Sequence, residues 1–263
     1  MRPLGIVVFG CLSKPKYRQQ LEDIWATWGR EAIRLGCILR FYVGDIPEDI
    51  APDMRSICIN VQEGDDYISA TFKQWRGMEF MVDGEERCRF YYICGSDTFL
   101  HVPNALAALQ DLDAEKSLYV GGGMGTEKVD GTDYSYFSGG AGYFLTFSAC
   151  QQMMEQFQEF IWWWLEVANV VVDHFEDGKP MKKCILAASD VQLGVLAKQV
   201  GVEWVHIQPE KMIGVGRWDA PDTLKDTLLS IHPLTHDDFF AYDAYLRSVG
   251  AFGESLPFEA PRE

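Results

Sequence analysis

The sequence predicts a single α/β domain, and three observations carry that prediction. Leu4 to Gly10 is an apolar run followed by a polar loop and a helix-periodic stretch. Arg89 to Cys94 repeats the pattern and ends in the acidic turn Gly95-Ser96-Asp97-Thr98. Ser117 to Val120 is a third strand-like run after another helical segment. Runs of strand period alternating with runs of helical period are the pattern of a sheet covered by helices.

Taken in order, Leu21, Ile24, Trp25 and Trp28 have the spacing of an amphipathic helix, which Gly29 is expected to end. Ile38 to Asp45 and Ile57 to Val61 supply two more strands. Pro103 belongs in the first turn of a helix carrying Leu106, Leu109 and Leu112 on one face. Thr146 or Ser148 caps a helix containing Met153, Phe157, Phe160, Ile161 and Trp164. In Trp162-Trp163-Trp164, core packing with one exposed face is expected rather than a cofactor box. Leu193, Leu196 and Val200 form the apolar face of a later helix that starts near Ser189-Asp190 and ends at Gly201.

With 263 residues, 48% of them hydrophobic, the chain has enough apolar surface for one sizeable core, so residues 1–263 read as one domain. The formal net charge of -16 argues against nucleic acid or an anionic membrane as the main partner, since both require a basic surface. A phosphate-bearing ligand would need local compensation, which a divalent cation and a few basic residues provide. The seven cysteines show no CxxC spacing, which speaks against structural zinc and for small buried hydrophobes. The most apolar run, Phe160 to Val172, is interrupted by Glu166 and Asn169 and falls short of the ~20 residues of a membrane span. Gly121-Gly122-Gly123 lacks the spacing and lysine of a phosphate loop.

Four blocks carry the chemistry in this order: Gly95-Ser96-Asp97-Thr98; Ser138-Gly139-Gly140-Ala141-Gly142; Ser189-Asp190-Val191-Gln192-Leu193-Gly194; and Ser230-Ile231-His232-Pro233. With Ile24-Trp25-Ala26-Thr27-Trp28 near the start, they resemble the inverting β1,3-glycosyltransferases of the Fringe and core 1 galactosyltransferase type. The resemblance runs over nearly the whole chain. It implies a GT-A type fold, a mixed central sheet with helices on both faces, and Mn²⁺-dependent transfer of a sugar from a UDP-sugar donor to a hydroxyl of a glycan or glycoprotein acceptor. By the same resemblance Asp97 and His232 ligate the metal and Asp190 is the general base, while Arg18, Lys73, Ser96, Gly139, Gly140 and Trp218 contact the donor. Arg76 is a further candidate for the diphosphate. Golgi relatives carry an N-terminal anchor that is absent here, which implies the cytoplasm for a full-length chain and the Golgi lumen for a trimmed catalytic domain.

The departures are as informative. Gly95 and Ser96 stand where the family places carboxylates, which opens a second reading, a noncatalytic sugar-binding or chaperone relative. A third, a Rossmann-type oxidoreductase suggested by Gly10 between strand and helix, lacks the glycine spacing. Asp97, Asp190 and Gly139-Gly140 also admit plain roles as turn former, helix cap and tight turn.

Overall fold

The computed structural model describes residues 1–66, 68–84, 87–176, 179–214 and 227–250. The strands are β1 (Arg2–Phe9), β2 (Ile38–Val43), β3 (Cys58–Asn60), β4 (Cys88–Gly95), β5 (Phe99–Leu100), β6 (Leu118–Gly121), β7 (Met124–Val129), β8 (Thr132–Phe137), β9 (Tyr143–Thr146), β10 (Val171–Glu176), β11 (Lys179–Cys184), β12 (Glu203–His206), β13 (Met212–Ile213) and β14 (Ser230–Ile231). Among the described residues the α-helices are α1 (Pro15–Ile24), α2 (Arg30–Arg34), α3 (Pro52–Arg55), α4 (Ser69–Asp83), α5 (Val102–Leu109), α6 (Phe147–Val167), α7 (Ser189–Val200) and α8 (His236–Ser248).

Seven strands form the central sheet in the order β12-β6-β9-β4-β1-β2-β3. All neighbours are parallel except at β9, which runs antiparallel to both β4 and β6. The sheet is therefore mixed, and the antiparallel strand in its interior rules out the all-parallel Rossmann order. Gly10 serves packing instead: a Cβ there would meet the Leu21 side chain at 2.9 Å.

Alternate residues of β1 enter two different cores. Leu4, Ile6 and Val8 pack with Leu21, Ile24 and Trp28 of the first helical segment and with Phe239 and Tyr242 of α8. Val7 packs with Trp75 and Met78 of α4, Met153 and Trp164 of α6, and Val191 and Leu196 of α7. Helices thus cover both faces, which is why the inner strands read as continuous apolar runs. In the tryptophan run Trp164 is fully buried whereas Trp162 is 72% exposed, and Thr146 caps α6 by accepting from the amide of Ala149. Among the described residues no helix is long and apolar enough to cross a membrane, and all seven cysteines are unpaired, six of them buried.

Gly29 does not end the first helix. Trp25–Gly29 form a π-turn, and the helix resumes as α2 before Gly36 ends it with a left-handed φ of 81°. The glycine is needed for close approach rather than for a stop: a Cβ at Gly29 would lie 2.8 Å from the carbonyl oxygen of Ile24 and 3.0 Å from Leu39. The π-turn also turns Trp28 inward, so that its indole N–H donates to the carbonyl of Thr98 at 3.2 Å.

Candidate active site

The acidic turn sits where β4 leaves the central sheet and β5 begins a small three-stranded sheet, ordered β13-β14-β5. β5 and β14 pair antiparallel with Ile231 opposite Phe99. That register sets the residue before β5 beside the residue after β14. The amide of Leu234 then donates to the carbonyl of Asp97 at 3.0 Å, and Asp97 Oδ2 lies 3.3 Å from His232 Nε2. Two residues far apart in sequence become side-chain neighbours.

His232 is held at both ends. Its Nδ1 faces the carbonyl oxygen of Gly214 at 3.0 Å, and its amide donates to the carbonyl of Ile213 at 3.0 Å. Burial works against charge on the ring, but the hydrogen bond and charge of Asp97, the Gly214 carbonyl and the field of Asp190 outweigh it and raise its pKa above the usual histidine value. Burial likewise disfavours the Asp97 carboxylate, and His232 more than offsets it, leaving that pKa below the usual aspartate range. When the ring is protonated the two form an ion pair, with the imidazolium donating to both the Asp97 carboxylate and the Gly214 carbonyl.

The glycine turn between β8 and β9 forms the adjoining wall. Gly140 lies so close to His232 that a Cβ would stand 2.4 Å from Nδ1, and its carbonyl accepts from Thr98 Oγ1 at 2.9 Å. Its neighbour Gly139 donates its amide to Asp190 Oδ2 at 3.0 Å, while Asp190 Oδ1 accepts from the amide of Val191 at 2.9 Å. Asp190 is therefore not the cap of α7: the capping position belongs to Ala188, and the carboxylate reaches across to the glycine turn. Asp97, His232, Gly139, Gly140 and Asp190 thus meet in one place.

The remaining candidates lie elsewhere. The Ser96 hydroxyl is buried and donates to Gln20 Oε1 at 2.8 Å, so it faces the first helix. Lys73, 2% exposed, is bound to Asp65 at 2.5 Å and to the carbonyl of Gly10 at 2.9 Å. Burial opposes charge on Asp65, but Lys73 and Ser13 hold its carboxyl below the ordinary range. Arg18 pairs with Glu22 and Asp49 and borders a shallow cleft of about 330 Å³ with Leu12, Ser13, Pro15, Gln19 and Glu22. That cleft does not include the Asp97 and His232 pair. Arg76 pairs with Glu79. Trp218 lies outside the described residues. Gly214 and Gln20, which support the site, carry no signal of their own in the sequence, and Thr98 is marked only as the last residue of the acidic block.

Among the described residues no group of three or more His, Cys, Asp or Glu side chains is placed to hold a metal ion. The pair offers one carboxylate oxygen and one imidazole nitrogen, a donor set that suits a hard-to-borderline divalent cation when a ligand's oxygens and water complete the shell. The Gly214 carbonyl behind Nδ1 is the kind of outer contact that would orient His232 to ligate through Nε2.

No protein-family profile matches the chain, and no curated protein matches it. Among solved structures it is similar to a glycosyltransferase involved in the glycosylation of the major capsid of PBCV-1, with a TM-score of 0.48 and 11% identity over 94% of this chain and 99% of that one. It is also similar to the glycosyltransferase GlyE of Streptococcus pneumoniae TIGR4, with a TM-score of 0.47 and 12% identity over 95% of this chain and 64% of that one.

Proposed function

We propose that the chain is an inverting glycosyltransferase of GT-A type that moves a sugar from a UDP-sugar to a hydroxyl of a glycan or glycoprotein, forming a β1,3 linkage with the help of Mn²⁺. The reading rests on the resemblance of the ordered blocks. It is supported by one observation above the rest: the Asp97 and His232 pair, 3.3 Å apart, adjoins the glycine turn whose other end holds Asp190. Metal ligands and base are needed close together around a donor sugar.

Asp97 and His232 would hold the cation, which when bound supplies positive charge against the departing diphosphate in a chain of net charge -16. Gly139 and Gly140 keep that wall free of side chains, so a sugar can lie against backbone. Asp190 takes the proton of the acceptor hydroxyl, its carboxylate aimed by the Gly139 amide. The test is a screen of UDP-galactose, UDP-glucose, UDP-N-acetylglucosamine and UDP-N-acetylgalactosamine for Mn²⁺-dependent hydrolysis and transfer. Turnover of one donor, abolished by chelator, is expected; no turnover of any would sink the enzymatic reading.

A second reading has its own observation. Gly95 has no side chain and Ser96 points into the first helix, so the acidic turn brings one carboxylate to the site. A noncatalytic sugar-binding or chaperone relative would bind UDP or glycan and leave every donor intact in the same screen.

A further inference from the structure

The segment from Tyr134 to Gly139 runs along α7 in register with one face of the helix. Asp190, Gly194 and Lys198 follow the i, i+4, i+8 spacing that places side chains in a row. Asp190 accepts from the Gly139 amide, Gly194 receives Tyr136, and Lys198 Nζ sits 5.0 Å from the centre of the Tyr134 ring. The middle contact is the tightest. A Cβ on Gly194 would lie 2.6 Å from Tyr136 Cβ, 2.7 Å from the Ser135 carbonyl oxygen and 2.9 Å from Tyr136 Cα, two of which are backbone atoms that cannot swing aside. At the far end of the same ring, a Cβ on Gly125 of β7 would come within 2.6 Å of Tyr136 Cζ. Tyr136 is thus clamped between two glycines, and Gly139 lies three residues further on.

We propose that Gly194 is a positioning residue for the transfer. By admitting Tyr136 against α7 it sets the separation of β8 from the helix, and so the distance at which the Gly139 amide holds Asp190 one helical turn away. Lacking a side chain is its function, since any Cβ forces the strand outward and draws the amide off the carboxylate. The role rests on the reading of Asp190 as the base; the geometric half, that Gly194 maintains the bond between Gly139 and Asp190, does not depend on activity.

The experiment uses the full chain and has two readouts. In ¹H–¹⁵N spectra the Gly139 amide of the wild type should be shifted and protected by its bond to Asp190, and Gly194→Ala should remove both effects while the melt stays cooperative. Should that variant not fold, Gly194→Ala combined with Tyr136→Gly, which removes the Cβ 2.6 Å from the added methyl and leaves the Ser135 carbonyl at 2.7 Å to hold the strand off, carries the same measurement. A Gly139 amide that keeps its bond in the folded variant overturns the proposal. In transfer assays Gly194→Ala should lower kcat about 100-fold, the scale of a misplaced catalytic group, with the donor KM unchanged. Combined with Asp190→Asn it should cost nothing more, because both changes remove the same act. Additive losses mark a merely structural glycine and overturn the role. Transfer that survives Asp190→Asn overturns the base reading and this role with it, whereas transfer that survives Gly194→Ala alone overturns only the role of Gly194.

Discussion

Gly140 and His232 leave no space between them: a methyl on the glycine would stand 2.4 Å from the ring nitrogen and 2.7 Å from the Gly214 carbonyl that the same nitrogen faces. The histidine's orientation is therefore fixed by the absence of a side chain as much as by its hydrogen bond. Gly140→Ala should tilt the ring and weaken Mn²⁺-dependent UDP binding by about 10–100-fold, the usual loss when the groups behind a metal-ligating histidine are disturbed. Calorimetry with UDP and Mn²⁺ measures it, and unchanged affinity would mean that the ring does not serve as a ligand.

Asp97→Asn and His232→Ala should each abolish divalent-dependent UDP binding and leave the fold intact. With a cation as the proposed bridge on a chain of net charge -16, EDTA should remove nucleotide binding far more completely than added salt does. The reverse result, loss in salt and persistence in EDTA, would point to an ordinary basic patch and away from these two residues.

The ion pair also makes a prediction about pH. His232 has a raised pKa, so its contribution to stability is complete below the ordinary histidine value and fades as the pH rises through the raised one. Asp97 has a lowered pKa, so its contribution is complete above the ordinary aspartate value and fades as the pH falls through the lowered one. Without metal, the difference in Tm between wild type and His232→Ala should be larger near pH 5.5 than near pH 9, values that flank the ordinary histidine pKa of about 6.5. Metal behaves oppositely: the proton on Nε2 must leave first, so Mn²⁺ affinity should climb with pH over the same range. A flat profile for both would show that His232 is neutral throughout.

Asp190→Asn keeps a hydrogen-bond acceptor for the Gly139 amide but cannot take a proton. Transfer should fall about 10²- to 10⁴-fold, with UDP affinity and Tm unchanged. Retained transfer would place the base on another group.

Lys73 has a structural task in its buried pair with Asp65, whose side chain is 14% exposed. Lys73→Met leaves that carboxylate without its cation and should cost about 3 kcal/mol in urea unfolding, the low end for breaking such a pair. If stability holds while UDP binding is lost, Lys73 belongs to the donor site after all.

The sheet was legible because its inner strands are apolar on both faces, and the helices because their apolar periods are intact around Leu21, Met153 and Leu193. What escaped depended on distant partners. Ser96 reads as a site residue from its place in the acidic turn, yet its hydroxyl is taken by Gln20, 76 positions away. The charge of Lys73 is plain in the sequence, whereas Asp65 as its partner is not. Gly29 has the composition of a helix stop, but a π-turn needs the same residue for close packing. Asp190 stands where a cap would be expected, and only the fold shows that one carboxylate oxygen accepts from the Val191 amide of the first turn while the other reaches across to Gly139. The meeting of Asp97 with His232 follows from the antiparallel register of two dipeptide strands, too short for any periodic signal.

β9 joins two blocks of parallel strands, β3-β2-β1-β4 on one side and β6-β12 on the other, and among the described strands it is the one hydrogen-bonded to both. Its partner strand β4 carries Phe90, Tyr91, Tyr92 and Ile93 opposite it, an apolar edge that would be open to another chain without β9 in place. The Gly139–Gly142 turn leads directly into this strand, so the segment that shapes the wall beside His232 is also the lead-in to the splice that makes two half-sheets into one.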